Sequence, residues 1–306
     1  MYQKAYGIIE TLAPLHIGAS AGEETGNLNL IFRDQFTQTG IIPGSSIRGR
    51  FRADMRFGPD GKQLVNIWYG HDSEADEDNN ETKVEETKAE KTKDRTTEAL
   101  VKFEYASLLW LPVFCPGQPI VWVSCPRLLK RYQRIYGTKG NIPTPSENGY
   151  PAQLRRNQNR LFFNLGFLDN LVPCPDLQTW VPGEITVKPD NLVVVRDVDM
   201  GIIHDMALYR QTRTKLNNEV KKVENFFGFE GLPEGSILIF PIAIKKNISA
   251  QVETKLADLQ QNSGWQPFED ESFKELYFGG LESIGCGRCG VTLGGEYFDQ
   301  IQGNEE

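Results

Sequence analysis

Apolar residues run densely over residues 6–17, a strand-like stretch broken by Pro14, and give way to the small-residue loop Gly18-Ala-Ser-Ala-Gly22. Glycines there suit unusual backbone angles. Residues 28–36 alternate as a second strand, and Thr37-Gln-Thr-Gly-Ile-Ile-Pro-Gly44 reads as a turn. Ser45 and Ser46 then stand as N-caps for an amphipathic helix over 47–57. A strand pair is expected at 108–114 and 120–125, joined through Cys115-Pro-Gly-Gln-Pro119. The pattern over 126–136 gathers Leu128, Leu129 and Tyr132 on one side of a helix and leaves a cationic face on the other. Residues 137–151, rich in Gly, Pro, Ser and Asn, read as a loop. Later strands are expected at 191–195, 236–244 and 290–293, with a helix over 248–261. This order predicts an α+β fold compatible with ferredoxin-like units carrying insertions. No short repeat period is present, which excludes a solenoid.

Composition sharpens the picture through its distribution. The chain has 306 residues and a net charge of −8, enough length for a substantial core. An acidic balance argues against a nucleic-acid partner, since phosphate attracts Lys and Arg. Yet residues 72–98 alone hold eleven acidic and five basic residues, a net −6, and leave −2 for everything else. That segment has too few apolar residues to offset the entropy of ordering, so it is expected to be a solvated, disordered insertion. The remainder carries three cationic clusters: Arg48, Arg50, Arg52 and Arg56; Arg127, Lys130, Arg131 and Arg134; and Arg210, Arg213, Lys215, Lys221 and Lys222. Any one of them is ordinarily a solvated helix face, but three together suit a polyanion groove. Five irregularly spaced Cys fit reduced thiols. The start lacks the apolar core of a signal peptide, and no apolar run reaches membrane-spanning length. The expectation is a soluble cytoplasmic protein with no membrane partner.

Three segments carry candidate chemistry. Pro43-Gly-Ser-Ser-Ile-Arg-Gly-Arg-Phe-Arg52 sets hydroxyls and a helix start beside guanidinium groups, a combination that favours phosphate. Its plain structural alternative is a capped surface helix. Phe278-Gly-Gly-Leu-Glu-Ser-Ile-Gly-Cys-Gly-Arg-Cys-Gly290 is glycine-rich, with Ser283 and Arg288 as donors. It is neither a Walker A loop nor a dinucleotide fingerprint, because the required Lys and strand-to-helix context are absent. The Cys286-x-x-Cys289 spacing within it admits a zinc or redox reading, without a second pair or a nearby His to complete a site. Leu15-His-Ile-Gly18 places a lone His at a turn. Such a residue is more often structural than catalytic.

Together these segments resemble the RAMP superfamily of CRISPR effector proteins, and within it the repeating backbone subunit of type III complexes, most closely the Cmr-class (type III-B) fourth subunit. The carriers are Leu15-His16-Ile17-Gly18; Arg33-Asp34 spaced before Thr37; Ile42-Pro43-Gly44-Ser45-Ser46-Ile47-Arg48-Gly49 with Arg52; and Gly279-Gly280 with Ser283, Gly285 and Gly287. Ser107-Leu-Leu-Trp-Leu-Pro-Val113, Trp122-Val-Ser-Cys-Pro-Arg-Leu-Leu129 and Glu230-Gly-Leu-Pro-Glu-Gly-Ser236 are similar to the Cmr-class subunit. The resemblance spans residues 5–295 apart from the acidic insertion. It implies one domain over 1–306: an RRM-like palm with a β-hairpin thumb inside 194–234. It further implies copies stacked head to tail on a CRISPR RNA, with target RNA and other type III subunits as partners.

Carried over residue by residue, the resemblance implies phosphate contacts at Ser45, Ser46, Arg48 and Arg52. It implies an RNA-facing loop at His16 and Gly18, a late RNA-facing loop at Gly279, Gly280, Ser283, Gly285 and Gly287, and thumb contacts at Arg210 and Arg213. Active family members place an Asp shortly before the Arg-Asp/Glu pair, for cleavage of target RNA with a divalent metal such as magnesium. Leu28 stands at that position here, or Asn29 after a one-residue slip. Neither is a carboxylate. Glu23 and Glu24 are the nearby acidic candidates, and cleavage opposite this subunit is expected to be weak or absent. An enzyme of the same superfamily that processes precursor CRISPR RNA, with His16 as general acid or base, is the competing reading.

Overall fold

The computed structural model describes residues 1–19, 28–70, 97–116, 120–156, 158–216, 223–246, 248–259, 264–269 and 271–302. In chain order the strands are β1 (Tyr2–Thr11), β2 (Leu28–Asn29), β3 (Ile41–Ile42), β4 (Val101–Phe103), β5 (Ala106–Val113), β6 (Val121–Ser124), β7 (Tyr150–Gln153), β8 (Arg160–Phe163), β9 (Gly166–Asp169), β10 (Leu171–Pro173), β11 (Leu192–Val194), β12 (Tyr209–Leu216), β13 (Val223–Gly231), β14 (Ile237–Lys245), β15 (Phe273–Tyr277) and β16 (Arg288–Gly294). The helices are α1 (Gly44–Arg56), α2 (Gly61–Tyr69), α3 (Pro126–Tyr136), α4 (Asp197–Ala207), α5 (Ala250–Asp258) and α6 (Glu296–Gln302).

One large mixed sheet organises the molecule, with strand order β10-β7-β11-β6-β5-β14-β1-β16-β15. Two strands in from the β15 edge, β1 runs antiparallel to both β14 and β16, so that Ile9 lies between Leu238 and Val291. Alternation along these strands feeds two apolar layers. Ile9, Leu238, Phe240 and Ile242 face Ile47 and Phe51 of α1, Val65 and Trp68 of α2, and Trp265. Ile8, Ile237 and Ile239 face the opposite way, onto Leu129 and Tyr132 of α3, Leu177 and Trp180. All eight residues of β5 are buried, as expected of a strand covered on both sides. This is a mixed α/β architecture with helices on both sheet faces.

A separate three-stranded sheet is made by the antiparallel β12–β13 hairpin and by β2, which lies parallel to β13 through Gly228–Leu28 and Phe229–Asn29. Lys221 and Lys222, between its strands, lie outside the described residues. So does most of the acidic insertion. Its flanks are joined: the Leu100 N–H donates to the Trp68 carbonyl at 3.0 Å, and Gly70 lies against the Thr97 carbonyl. Among the described residues no helix is long and apolar enough to cross a membrane.

The expected helix over 126–136 and the strand pair before it are present. Three expectations need correction. The helix expected over 47–57 begins at Gly44, with Pro43 and not a serine in the N-cap position. Pro43 cannot donate a hydrogen bond, but its carbonyl accepts from the Ser46 and Ile47 N–H groups at 3.0 and 3.1 Å, which places both serines inside the first turn. The strand expected over 28–36 is cut to Leu28–Asn29, followed by single bridges Gly18–Ile31 and Arg33–Gly40. Asp34 stops it, because its Oδ1 accepts from the Phe36 and Thr37 N–H groups at 3.0 and 2.7 Å and turns the chain. The strand expected over 6–17 ends at Thr11.

Candidate nucleic-acid interface

Two loops distant in sequence are stitched together where β1 ends and β16 begins. The Leu12 N–H donates to the Arg288 carbonyl at 2.9 Å, Gly287 to Pro14 at 2.9 Å, and Gly280 to His16 at 3.1 Å. His16 is buried, and its Nδ1 lies 2.7 Å from the Glu230 carbonyl. A carbonyl only accepts, so that nitrogen carries the proton. The other ring nitrogen, Nε2, is turned toward exposed Gly18. On the second loop Gly280, Ser283, Gly285 and Arg288 are exposed, while Gly287 is buried beneath them. Arg288 is 3.8 Å from Glu275. The sequence-derived candidates His16, Gly18, Gly279, Gly280 and Gly287 are therefore brought into one surface.

Behind this surface sits a charged knot that sequence reasoning missed. Arg33 donates to Asp205 Oδ1 at 2.5 Å and to Glu230 Oε1 at 2.7 Å. The Glu230 side chain is only 1% exposed, accepts the Ile31 N–H at 3.2 Å, and lies 3.6 Å from Arg210. Its burial is tolerable because its oxygens are partnered. Arg210 also donates to the Asp205 carbonyl at 3.0 Å, which ties the base of the β12–β13 hairpin to α4. The neighbouring His204 ring and the Arg33 guanidinium hold Asp205 down to about 2. His204 is fully buried and its Nε2 accepts the Gly40 N–H at 2.9 Å. Burial pushes its pKa down, so the ring is neutral. The available signal was the Glu230-Gly-Leu-Pro segment, singled out by resemblance and not by its chemistry.

The α1 candidates stand on a different element. Ser45 is exposed and Ser46 half-buried, in the first turn. Arg48 donates to the Tyr69 carbonyl at 2.5 Å, which docks α1 on the end of α2. Arg52 is half-buried one turn further on. Asp54 accepts from Lys274 of β15 at 2.7 Å, linking α1 to the strand that leads into the glycine loop. On the hairpin, the Arg213 guanidinium lies 5.4 Å from the Phe227 ring centroid.

Chain-wide comparison fits these features, since the RAMP superfamily matches residues 8–290. The chain belongs to the RAMP superfamily. No curated protein matches it. Among solved structures, a chain of the type III-B Cmr-β complex bound to cognate target RNA is similar at a TM-score of 0.65 and 18% identity, covering 97% of this chain and 98% of that one. A chain of the apo Cmr-β complex gives 0.65 and 16%, covering 96% and 98%. Oligomeric Cmr4 from Pyrococcus furiosus gives 0.60 and 16%, covering 95% and 98%. At these identities the likeness is one of fold.

In this RAMP protein Asn29 pairs with Phe229 and Leu28 with Gly228, one position further from Glu230. Glu23 and Glu24 lie outside the described residues. The donors present nearby do not fit a magnesium ion: Glu230 and Asp205 are engaged by Arg33, and Asp34 holds its own turn. Among the described residues no group of three or more His, Cys, Asp or Glu is placed to hold a metal. Cys286 and Cys289 are both buried, and burial pushes both thiols up, against the thiolate that zinc or redox chemistry uses.

Proposed function

We propose that this chain is the CRISPR RNA-binding backbone subunit of a type III, Cmr-class ribonucleoprotein effector, which grips the guide's sugar-phosphate backbone and displays its bases to target RNA. The observation that carries this reading is the stitched surface of the His16 and glycine loops in a RAMP chain. It offers backbone, a hydroxyl and guanidinium groups, which contact phosphate and ribose and leave base edges free. His16, Gly18, Gly279, Gly280, Ser283, Gly285, Gly287 and Arg288 contribute from the two loops, and Ser45, Ser46, Arg48 and Arg52 from α1.

In this reading residues 1–306 are one domain, the large sheet serves as an RRM-like palm, and the β12–β13 hairpin within 194–234 is the thumb, contacting RNA through Arg210 and Arg213. The net charge of −6 on residues 72–98 is repelled by phosphate, so it contributes nothing to RNA binding in this reading. Copies stack head to tail with other type III subunits in the cytoplasm. Sequencing the nucleic acid that co-purifies with the chain from its native host tests the reading. Short RNAs sharing a repeat-derived 5′ end are expected, and a complex free of RNA overturns it.

His16 Nε2, turned toward exposed Gly18, favours a second reading, precursor processing by proton transfer. Incubating the full chain with precursor RNA separates the two: the backbone reading expects no processing, whereas cleavage lost in His16→Ala identifies a processing enzyme.

A further inference from the structure

A cleft of about 170 Å³ lies between the Asp34 turn, the start of β5 and the cationic face of α3, lined by Phe36, Thr37, Tyr105, Arg127, Arg131 and Arg134 among others. Arg131 is a fixed wall: its Nε donates to Ser107 Oγ at 3.0 Å, its Nη2 to the Tyr105 carbonyl at 3.2 Å, and its guanidinium lies 4.1 Å from the Tyr105 ring centroid. Arg127 and Arg134 are exposed. The Arg127 guanidinium lies 5.6 Å from the centroid of Phe36, a ring that is 76% exposed. The nearby carboxylates are committed elsewhere. Asp34 holds its turn, Glu104 accepts from Arg131 at 3.3 Å, and Asp197 accepts the Arg127 N–H at 3.0 Å. Among the described residues no carboxylate pairs with the Arg127 or Arg134 guanidinium.

We infer that this cleft is a nucleotide subsite for single-stranded RNA, with a base stacked on the open face of Phe36 and the flanking phosphates on Arg127 and Arg134. An aromatic face backed by a guanidinium suits any base, and unpaired arginines beside it suit the linking phosphates. An acidic protein segment would use the arginines and leave Phe36 exposed. The position also fits. Ser107 at the cleft pairs with Ile41, and α1 starts at Gly44, packed on the Phe103 and Glu104 backbone. The first turn of α1 and the cleft therefore flank the same stretch of chain, residues 103–107. This inference rests on the reading of the chain as an RNA-binding subunit.

Fluorescence anisotropy of a fluorescein-labelled single-stranded RNA with the full chain, titrated at several salt concentrations, tests it. The Arg127→Ala/Arg134→Ala variant is expected to bind about tenfold more weakly, with a salt slope shallower by about 1.4, roughly 0.7 per lost phosphate contact. Phe36→Ala is expected to weaken binding about tenfold with the slope unchanged. Arg127→Lys/Arg134→Lys keeps the slope, and Phe36→Leu, which preserves apolar bulk, repeats the loss seen with Phe36→Ala. Wild-type affinity and slope in the alanine variants overturn the subsite and leave the backbone reading standing. Loss of self-association with intact RNA binding assigns the cleft to protein and also overturns it. A wild-type chain that binds no RNA overturns the reading beneath.

Discussion

The carbonyl oxygen of His16 fills the space that a side chain on Gly279 would need. Gly279 is also held at φ +78°, and the next N–H, from Gly280, donates to that same carbonyl. Glycine is required there twice over, by conformation and by close approach. This contact fixes the late loop against the early one and sets the shape of the surface they share.

Gly279→Ala is therefore expected to cost more than about 3 kcal/mol and to abolish RNA binding. Gly285 has φ +92°, but a methyl group added there would meet nothing within 4 Å, so Gly285→Ala costs about 1–2 kcal/mol from conformation alone. Urea unfolding of both variants measures the difference, which isolates the close approach.

Removing the carboxylate of Glu230 leaves half-buried Arg33 with Asp205 alone and takes the acceptor from the Ile31 N–H. Glu230→Ala is expected to destabilise the fold by about 3–5 kcal/mol, whereas Arg210→Ala, at 3.6 Å and half-exposed, costs less than about 1 kcal/mol. A double-mutant cycle between Arg33 and Glu230 in thermal unfolding reports the coupling.

Acid sensitivity follows from His204. Its folded pKa is depressed by burial, so the unfolded chain takes up a proton that the folded chain refuses. Its contribution is full above about pH 6.5, the ordinary histidine value, and is lost as pH falls through the depressed folded value. Asp205, held at about 2, adds its own loss of the same sign only below about pH 4. Stability measured between pH 7 and 4 should fall in the wild type. In His204→Gln, whose amide oxygen is able to accept from Gly40, the fall should be shallower.

Target RNA offered to the assembled complex is expected to bind without efficient cutting opposite this subunit, because Leu28, or Asn29 after a one-residue slip, stands where the family resemblance implies a carboxylate. Denaturing gels of labelled target check this. Efficient cutting that disappears in Glu23→Ala or Glu24→Ala would instead place the active carboxylate in that loop.

Elements with strong local signals are legible in the sequence. Helix α3 has clear bounds because Pro126 opens it and Gly137, at φ +86°, closes it. Helix α4 does not, since Gly201 and its β-branched neighbours weaken the local signal; a β-carbon on Gly201 would stand 3.3 Å from Gln38. The short strands β7 and β10 depend on partners in the large sheet, and β8 and β9 on each other. The loop candidates His16, Gly279 and Gly280 are found through glycine content and family likeness. The knot behind them is not legible as an ion pair: Arg33 and Glu230 each lie in a family-like segment, but those segments are 197 positions apart and nothing local couples them.

The hydrogen bond from Leu100 to Trp68 makes a doorway: Gly70 and Thr97, the two flanks of residues 71–96, meet beside it. Loop closure costs only about 0.6 kcal/mol for each doubling of length. A segment closed at such a junction can change in length over evolutionary time at little cost in closure entropy. The same threshold is where a fluorescent reporter or an affinity handle would be grafted into the subunit without disturbing a strand.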